Sequence, residues 1–163
     1  MYKKIGIAVA ILAVATLAFS ALAPAASAAE PTPAARIPSV LLHGTGVLDA
    51  HGTGVAAVKG MMDYQMTGED GVLLVKDING DARVDVDGFG GTGEWRGFKA
   101  YFGIRGNVHI VGTDVAVIVV AHDIDLHVAG RGWAFLKGEG TFTANGHGPF
   151  RWTADGAFVS VTP

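Results

Sequence analysis

An all-β fold, an antiparallel β-sandwich or small barrel of about nine to ten strands, is predicted by three features of the sequence. Apolar and polar residues alternate at a period of two, glycine recurs at intervals of eight, and turn signals separate the runs. The alternation is clearest over residues 124–144. There Ile124, Leu126, Val128, Ala134, Leu136, Phe142 and Ala144 share one parity, with glycines between them, and Asp, His, Arg, Lys, Glu and Thr dominate the other. Side chains on successive strand residues point to opposite faces, so this pattern makes one face small or apolar and the other polar.

The chain opens with Lys3 and Lys4, an apolar run over residues 5–19, and the small-residue stretch Ala25, Ala26, Ser27, Ala28. A positive end, a hydrophobic run and an A-x-A site are the parts of a secretory signal, so residues 1–28 are expected to be removed. Cutting 28 of 163 residues leaves 135, and losing Lys3 and Lys4 takes the formal charge from −3 to −5. Residues 29–38, with Pro31, Pro33 and Pro38, read as an extended linker, and residues 39–163 as one glycine-rich β domain. The protein is therefore expected to be secreted or held in the cell envelope, with no membrane span after cleavage. With no cysteine, the domain has no disulfide framework and must draw its stability from burial, bound ions or self-association.

Strands are expected over residues 40–48, 52–58, 72–76, 82–86, 94–102, 107–111, 115–121, 124–129, 133–143 and 150–161. The alternating run 124–144 is too long for one straight strand, so the chain must bend within it. Gly44, Gly52, Gly60 and Gly68 stand eight apart, as do Gly130, Gly138 and Gly146, and an octad keeps every glycine on the same face. These glycines are the expected corners. Asn79-Gly80 and Asn145-Gly146 are hairpin turn signals. Residues 115–120 are apolar at both parities, as a strand covered on two sides would be. A parallel β-solenoid is the alternative, although the octad lapses between Gly68 and Gly130.

The segment from Gly97 to Gly140 carries the pattern G-x-V-x-I-x-G, a short apolar run, I-x-L-x-x-x-G-x-G and x-A-x-L-x-G-x-G. In this it resembles an uncharacterised family of secreted glycine-rich all-β proteins. The resemblance covers about a third of the mature chain and implies the fold, with no activity to transfer.

Several chemistries can be weighed from the residues. A mildly acidic chain without a basic cluster is a poor partner for nucleic acid, and the same argument weakens binding to an anionic membrane surface. Asp77, Asn79, Asp81 and Asp85 match the first ligand positions of a calcium loop, but Ala82 replaces the glycine and Gly88 the bidentate carboxylate. A hairpin flanked by solvated aspartates explains the same residues; calcium is the one cofactor the sequence suggests. His122, Asp123, Asp125 and His127 resemble a metal cluster as letters, but His122 faces away from the other three on a straight strand, so His109 or His147 would have to help. Residues 88–93 satisfy G-x-G-x-x-G without the βαβ unit that dinucleotide binding needs, and read as a loop. Mature serines are limited to Ser39 and Ser160, which leaves little for nucleophilic catalysis. Glu69, Glu94 and Glu139 offer no evident carboxylate pair.

Trp133 and Phe135 lie on the polar side of their strand between Arg131 and Lys137. Exposed rings beside hydrogen-bonding groups suit a sugar or partner chain, and Trp95 and Tyr101 could join them. A second packed layer over the rings is the competing explanation. Together these features lead to the expectation of a non-enzymatic secreted or cell-envelope β protein, a structural or surface-assembly subunit pairing with itself or another envelope component through strand edges. The alternative is an extracellular glycan- or ligand-binding module using Trp133, Phe135, Arg131 and Lys137.

Overall fold

The computed structural model describes residues 39–162, which lie within the compact unit Ala35–Pro163. The expected signal and the linker fall outside the described residues. Within them all the regular structure is strand: β1 (Ser39–His43), β2 (Gly46–Asp77), β3 (Arg83–Val86), β4 (Gly91–Trp95), β5 (Phe98–Ala144), β6 (His147–Trp152) and β7 (Ala157–Thr162). They form a single mixed sheet that does not close into a barrel; β1 runs parallel to β7 and every other pairing is antiparallel. The antiparallel pairing of β2 with β5 excludes the solenoid.

Two strands dominate because they do not stop at their corners: β2 has 32 residues and β5 has 47. Each bends repeatedly, so residues of β2 pair with two different stretches of β5, one on each edge. Following the partners divides the sheet into two layers. In the first, residues 124–130 lie between 46–52 and 62–68, with 106–112 and β3 beyond on one side and 140–144 and β6 on the other. In the second, residues 115–121 lie between 54–60 and 72–77, flanked by 98–102 and β4 on one side and by 132–136, β7 and β1 on the other. The alternation then fills one interior. Tyr64, Ile110, Ile124, Leu126 and Phe142 from the first layer meet Leu73, Val115, Val117, Val119 and Leu136 from the second in one buried cluster. Corners made by strands that pass from one layer to the other are the signature of crossed-sheet packing.

The corners use three of the octad glycines, Gly52, Gly60 and Gly138, each set against a glycine outside the octad. Gly60 lies opposite Gly132, Gly54 opposite Gly138 and Gly52 opposite Gly140, so glycine meets glycine where the paired strands turn together. A methyl group on Gly60 would come within 2.0 Å of the Arg131 carbonyl oxygen, and one on Gly132 within 2.0 Å of that of Lys59. Only chains without Cβ can approach so closely.

Some expectations need correction. Asn79-Gly80 is a turn, but the strands flanking it do not pair. Residues 72–77 belong to the second layer and β3 pairs with residues 108–111 in the first, so the turn carries the chain between layers. The expected strand 94–102 is a hairpin, because Arg96 (φ 50°) and Gly97 (φ 77°) turn the chain between Trp95 and its partner Phe98. Residues 62–68 form an unanticipated strand, with Met62, Tyr64 and Met66 inward. Asn145-Gly146 does close a two-residue hairpin between Ala144 and His147.

The buried Tyr64 hydroxyl donates to the Met66 thioether at 3.3 Å. Burial pushes its pKa far up, so it stays a protonated donor. Met66→Leu removes the acceptor and is expected to cost about 1–3 kcal/mol. Most of that loss should return in Tyr64→Phe/Met66→Leu, which chemical denaturation of the double-mutant cycle would measure.

Candidate functional site

The two outer faces of the folded sheet differ in kind. The first layer's outer face is polar. On it Gln65 lies between His109 and His127 on neighbouring strands, and Asp49 faces His127. His127 Nδ1 is 2.6 Å from Asp49 Oδ1, and His109 Nε2 is 3.0 Å from Asp63 Oδ1. Asp125 stands opposite both His51 and Thr67.

This geometry keeps His122, Asp123, Asp125 and His127 from converging. Asp123 adopts φ 47°, which bulges β5 and leaves both His122 and Asp123 exposed. His127 pairs with Asp49 instead of His109, because a whole strand separates the two histidines, about 10 Å. Among the described residues no group of three His, Cys, Asp or Glu is placed to hold a metal ion.

The four calcium-loop residues do not converge on one point: Asn79 and Asp81 share Thr113, and Asp77 and Asp85 turn to other partners. Asp77 accepts the N–H groups of Gly80 at 2.8 Å and Ala82 at 2.9 Å. Asn79 donates to the Thr113 hydroxyl at 3.0 Å, and Asp85 accepts from Arg83 Nε at 2.9 Å. Asp81 accepts the Thr113 hydroxyl at 2.6 Å and its N–H at 3.3 Å. Those two donors hold the Asp81 carboxyl below its usual range. A carboxylate depressed in the folded state adds stability above the unfolded chain's pKa, and loses it as pH falls below about 4 towards the folded value. Thr113→Val is expected to raise the Asp81 pKa towards the ordinary aspartate value, followed by NMR titration of the side-chain carboxyl.

The second layer's outer face is apolar. Its middle row crosses the sheet as Ala100, Leu74, Ile118, Ala57, Phe135 and Phe158, each beside the next on the neighbouring strand. The row on one side includes Val72, Val120, Val55 and Lys137; the row on the other includes Lys76, Ala116, Lys59 and Trp133. The expectation that residues 115–120 are covered on both sides therefore fails among the described residues. Val115, Val117 and Val119 are buried, whereas Ala116, Ile118 and Val120 are only half-buried on this face.

The sequence-predicted ligand residues sit at one end of it. Trp133 is 40% exposed and stacks on Phe158, ring centroids 6.2 Å apart and 22° between planes. Phe135 is half-buried with its ring over Gly156, where a Cβ would meet it at 2.6 Å. Arg131 and Lys137 are exposed. Trp95 lies at the far end of the same face beneath the Arg96 guanidinium, 5.0 Å from its ring. Tyr101 does not join them, since it points inward with 4% exposure and meets Phe89 edge-on at 5.3 Å.

A third feature lies where the sheet fails to close. Between β3 and the β4 hairpin, Asp77, Val84, Glu94, Lys99 and Tyr101 line a cleft of about 430 Å³. Lys99 Nζ lies 5.1 Å from the Tyr101 ring centroid. Sequence reasoning missed this cleft because its walls come from the pairing of β3, misassigned to a local hairpin. Glu69 and Glu139 lie exposed elsewhere, so among the described residues no second glutamate joins Glu94 there.

Comparison of the chain with protein-family models, curated proteins and solved structures finds no match.

Proposed function

We propose that the exported chain is a non-enzymatic secreted or cell-envelope β protein that assembles with a second copy of itself through the free edge of β1. The observation that carries this reading is a contrast among edges. β3 is four residues long and carries Arg83 and Asp85, β4 carries Glu94 and two glycines, and β6 contains Pro149 and Arg151. Short length, charge and proline are the devices that keep sheet edges from pairing with other chains. β1 has the sequence SVLLH, without charge or proline inside it, and Leu41 is 65% exposed. Its β7 side is occupied, with Gly44 N–H donating to the Thr162 carbonyl at 2.8 Å; among the described residues its other side pairs with no strand. The lack of cysteine, with Ser39 and Ser160 the only mature serines, supports a non-enzymatic role.

Light scattering across a concentration series tests the assembly. The processed protein is expected to dimerise, and Leu41→Lys to remain monomeric with its melting temperature within a few degrees of wild type. A wild-type chain that stays monomeric at millimolar concentration, with or without calcium, refutes the reading.

The cleft favours the second reading, a ligand-binding module, because its volume lies in the range of small-molecule sites and polar groups converge on it. Lys99→Ala/Glu94→Gln would then weaken retention of a neutral sugar on an affinity column while leaving the fold intact.

A further inference from the structure

The apolar outer face of the second layer has a charge pattern as well as an apolar one. Lys59, Lys76 and Lys137 stand on its three central rows, and no carboxylate does. Asp114 approaches only from the border, 3.8 Å from Lys59 Nζ. Asp49, Asp63, Asp85 and Asp125 stand on the opposite, first-layer face.

We infer that this face binds the surface of an anionic lipid bilayer, with Trp133, Phe158 and Leu41 entering the headgroup region and the three lysines meeting lipid phosphates. Tryptophan and phenylalanine beside lysine is the combination that interfacial segments use, since amphipathic rings and lysine stems lie among acyl chains while the ammonium groups stay at headgroup level. The chain's net negative charge does not oppose this. Stacked layers sit about 10 Å apart, and their outward side chains place the two charge sets about 20 Å from each other. At physiological salt that is more than two Debye lengths, so a lipid surface meets the lysine face alone.

A second copy is the rival occupant, and two observations count against it. Across a two-fold axis two lysine-bearing faces would meet, with no carboxylate on their central rows to neutralise either. The three rows span about 30 Å by 15 Å, or about 450 Å², against the roughly 800 Å² that each partner gives to a stable protein interface. The inference is independent of β1 pairing, since a monomer and an edge-paired dimer both present this face.

The chain from Ala29 onward, which holds every described core residue, is mixed with vesicles of phosphatidylcholine alone or with 30 mol% phosphatidylglycerol, and co-flotation is measured. Binding to the anionic vesicles is expected, with a blue shift of tryptophan emission and loss of binding at high salt. Each lysine is worth about a factor of five, so Lys59→Gln/Lys76→Gln/Lys137→Gln should weaken partitioning about 100-fold. Trp133→Ser/Phe158→Ser should weaken it at unchanged charge, and Asp49→Asn/Asp85→Asn should leave it unchanged. Equal binding to both vesicle types, no binding to either, or a concentration-dependent blue shift without lipid that Trp133→Ser abolishes would each overturn the inference. The last of these would assign the face to a second copy.

Discussion

Gly60→Ala is expected to destabilise the domain by about 3–5 kcal/mol, and Gly132→Ala by as much, although both positions are only partly buried and an added methyl group is small. Two effects combine. Gly60 has φ 149° and Gly132 φ 143°, a region that residues with a Cβ rarely adopt. The new methyl also has nowhere to go. At Gly60 it would lie 2.8 Å from the Gly132 Cα, and backbone, unlike a flexible side-chain end, cannot swing aside. The strands would have to separate at the corner where β2 and β5 pass between layers, and that movement would propagate into the shared core. Gly91→Ala is the control, since it carries no positive φ and nothing lies within 4 Å of its added Cβ; it is expected to change stability by less than about 0.5 kcal/mol. Urea melts of the three variants decide the matter. Similar midpoints for Gly60→Ala and Gly91→Ala would mean that the corners are plastic and the octad is incidental.

That octad shows how much of the architecture was readable in the chain. The period of two located the inward face of residues 124–128 and 134–144, because alternation is a local property and survives any pairing. The glycine spacing marked only some of the corners: Gly52, Gly60 and Gly138 stand at them, whereas Gly44 and Gly146 lie in a bend and a hairpin turn. It could not show that Gly54 faces Gly138, since register depends on which strands meet. Residues 62–68 are hard to read as a strand because Met62 and Met66 alternate with Asp63 and Gln65, and only Tyr64 and Thr67 are of the types that flag one. The Arg96 turn escaped because arginine is an unusual occupant of a positive-φ position. The candidate faces were less legible. Trp133 and Phe135 lie off the main core, but their membership in an apolar face that crosses the second layer depends on Leu74, Ile118, Ala57 and Phe158, residues scattered across the chain. Reading net charge as one number hid the separation of lysines from aspartates between the two outer faces.

Trp152 provides the second large effect. It lies in β6 opposite Gly140, 1% exposed, and is the largest fully buried side chain. Removing it in Trp152→Ala takes away its apolar burial and leaves a cavity at the edge of the first layer, for an expected loss of about 3–5 kcal/mol. Its indole Nε1, however, has no hydrogen-bond partner among the described residues, and a buried unpaired donor costs about 1–3 kcal/mol. Trp152→Phe discards that donor while keeping a ring over the glycine corner, so the donor's relief offsets part of the lost volume. The phenylalanine variant is therefore expected to lie within about 1 kcal/mol of wild type and at least about 2 kcal/mol above the alanine variant. Thermal and urea unfolding of the pair measure the gap. If Trp152→Phe proves as damaging as Trp152→Ala, Nε1 is paired in solution, and the stability of this edge rests on a polar contact instead of on packing over Gly140.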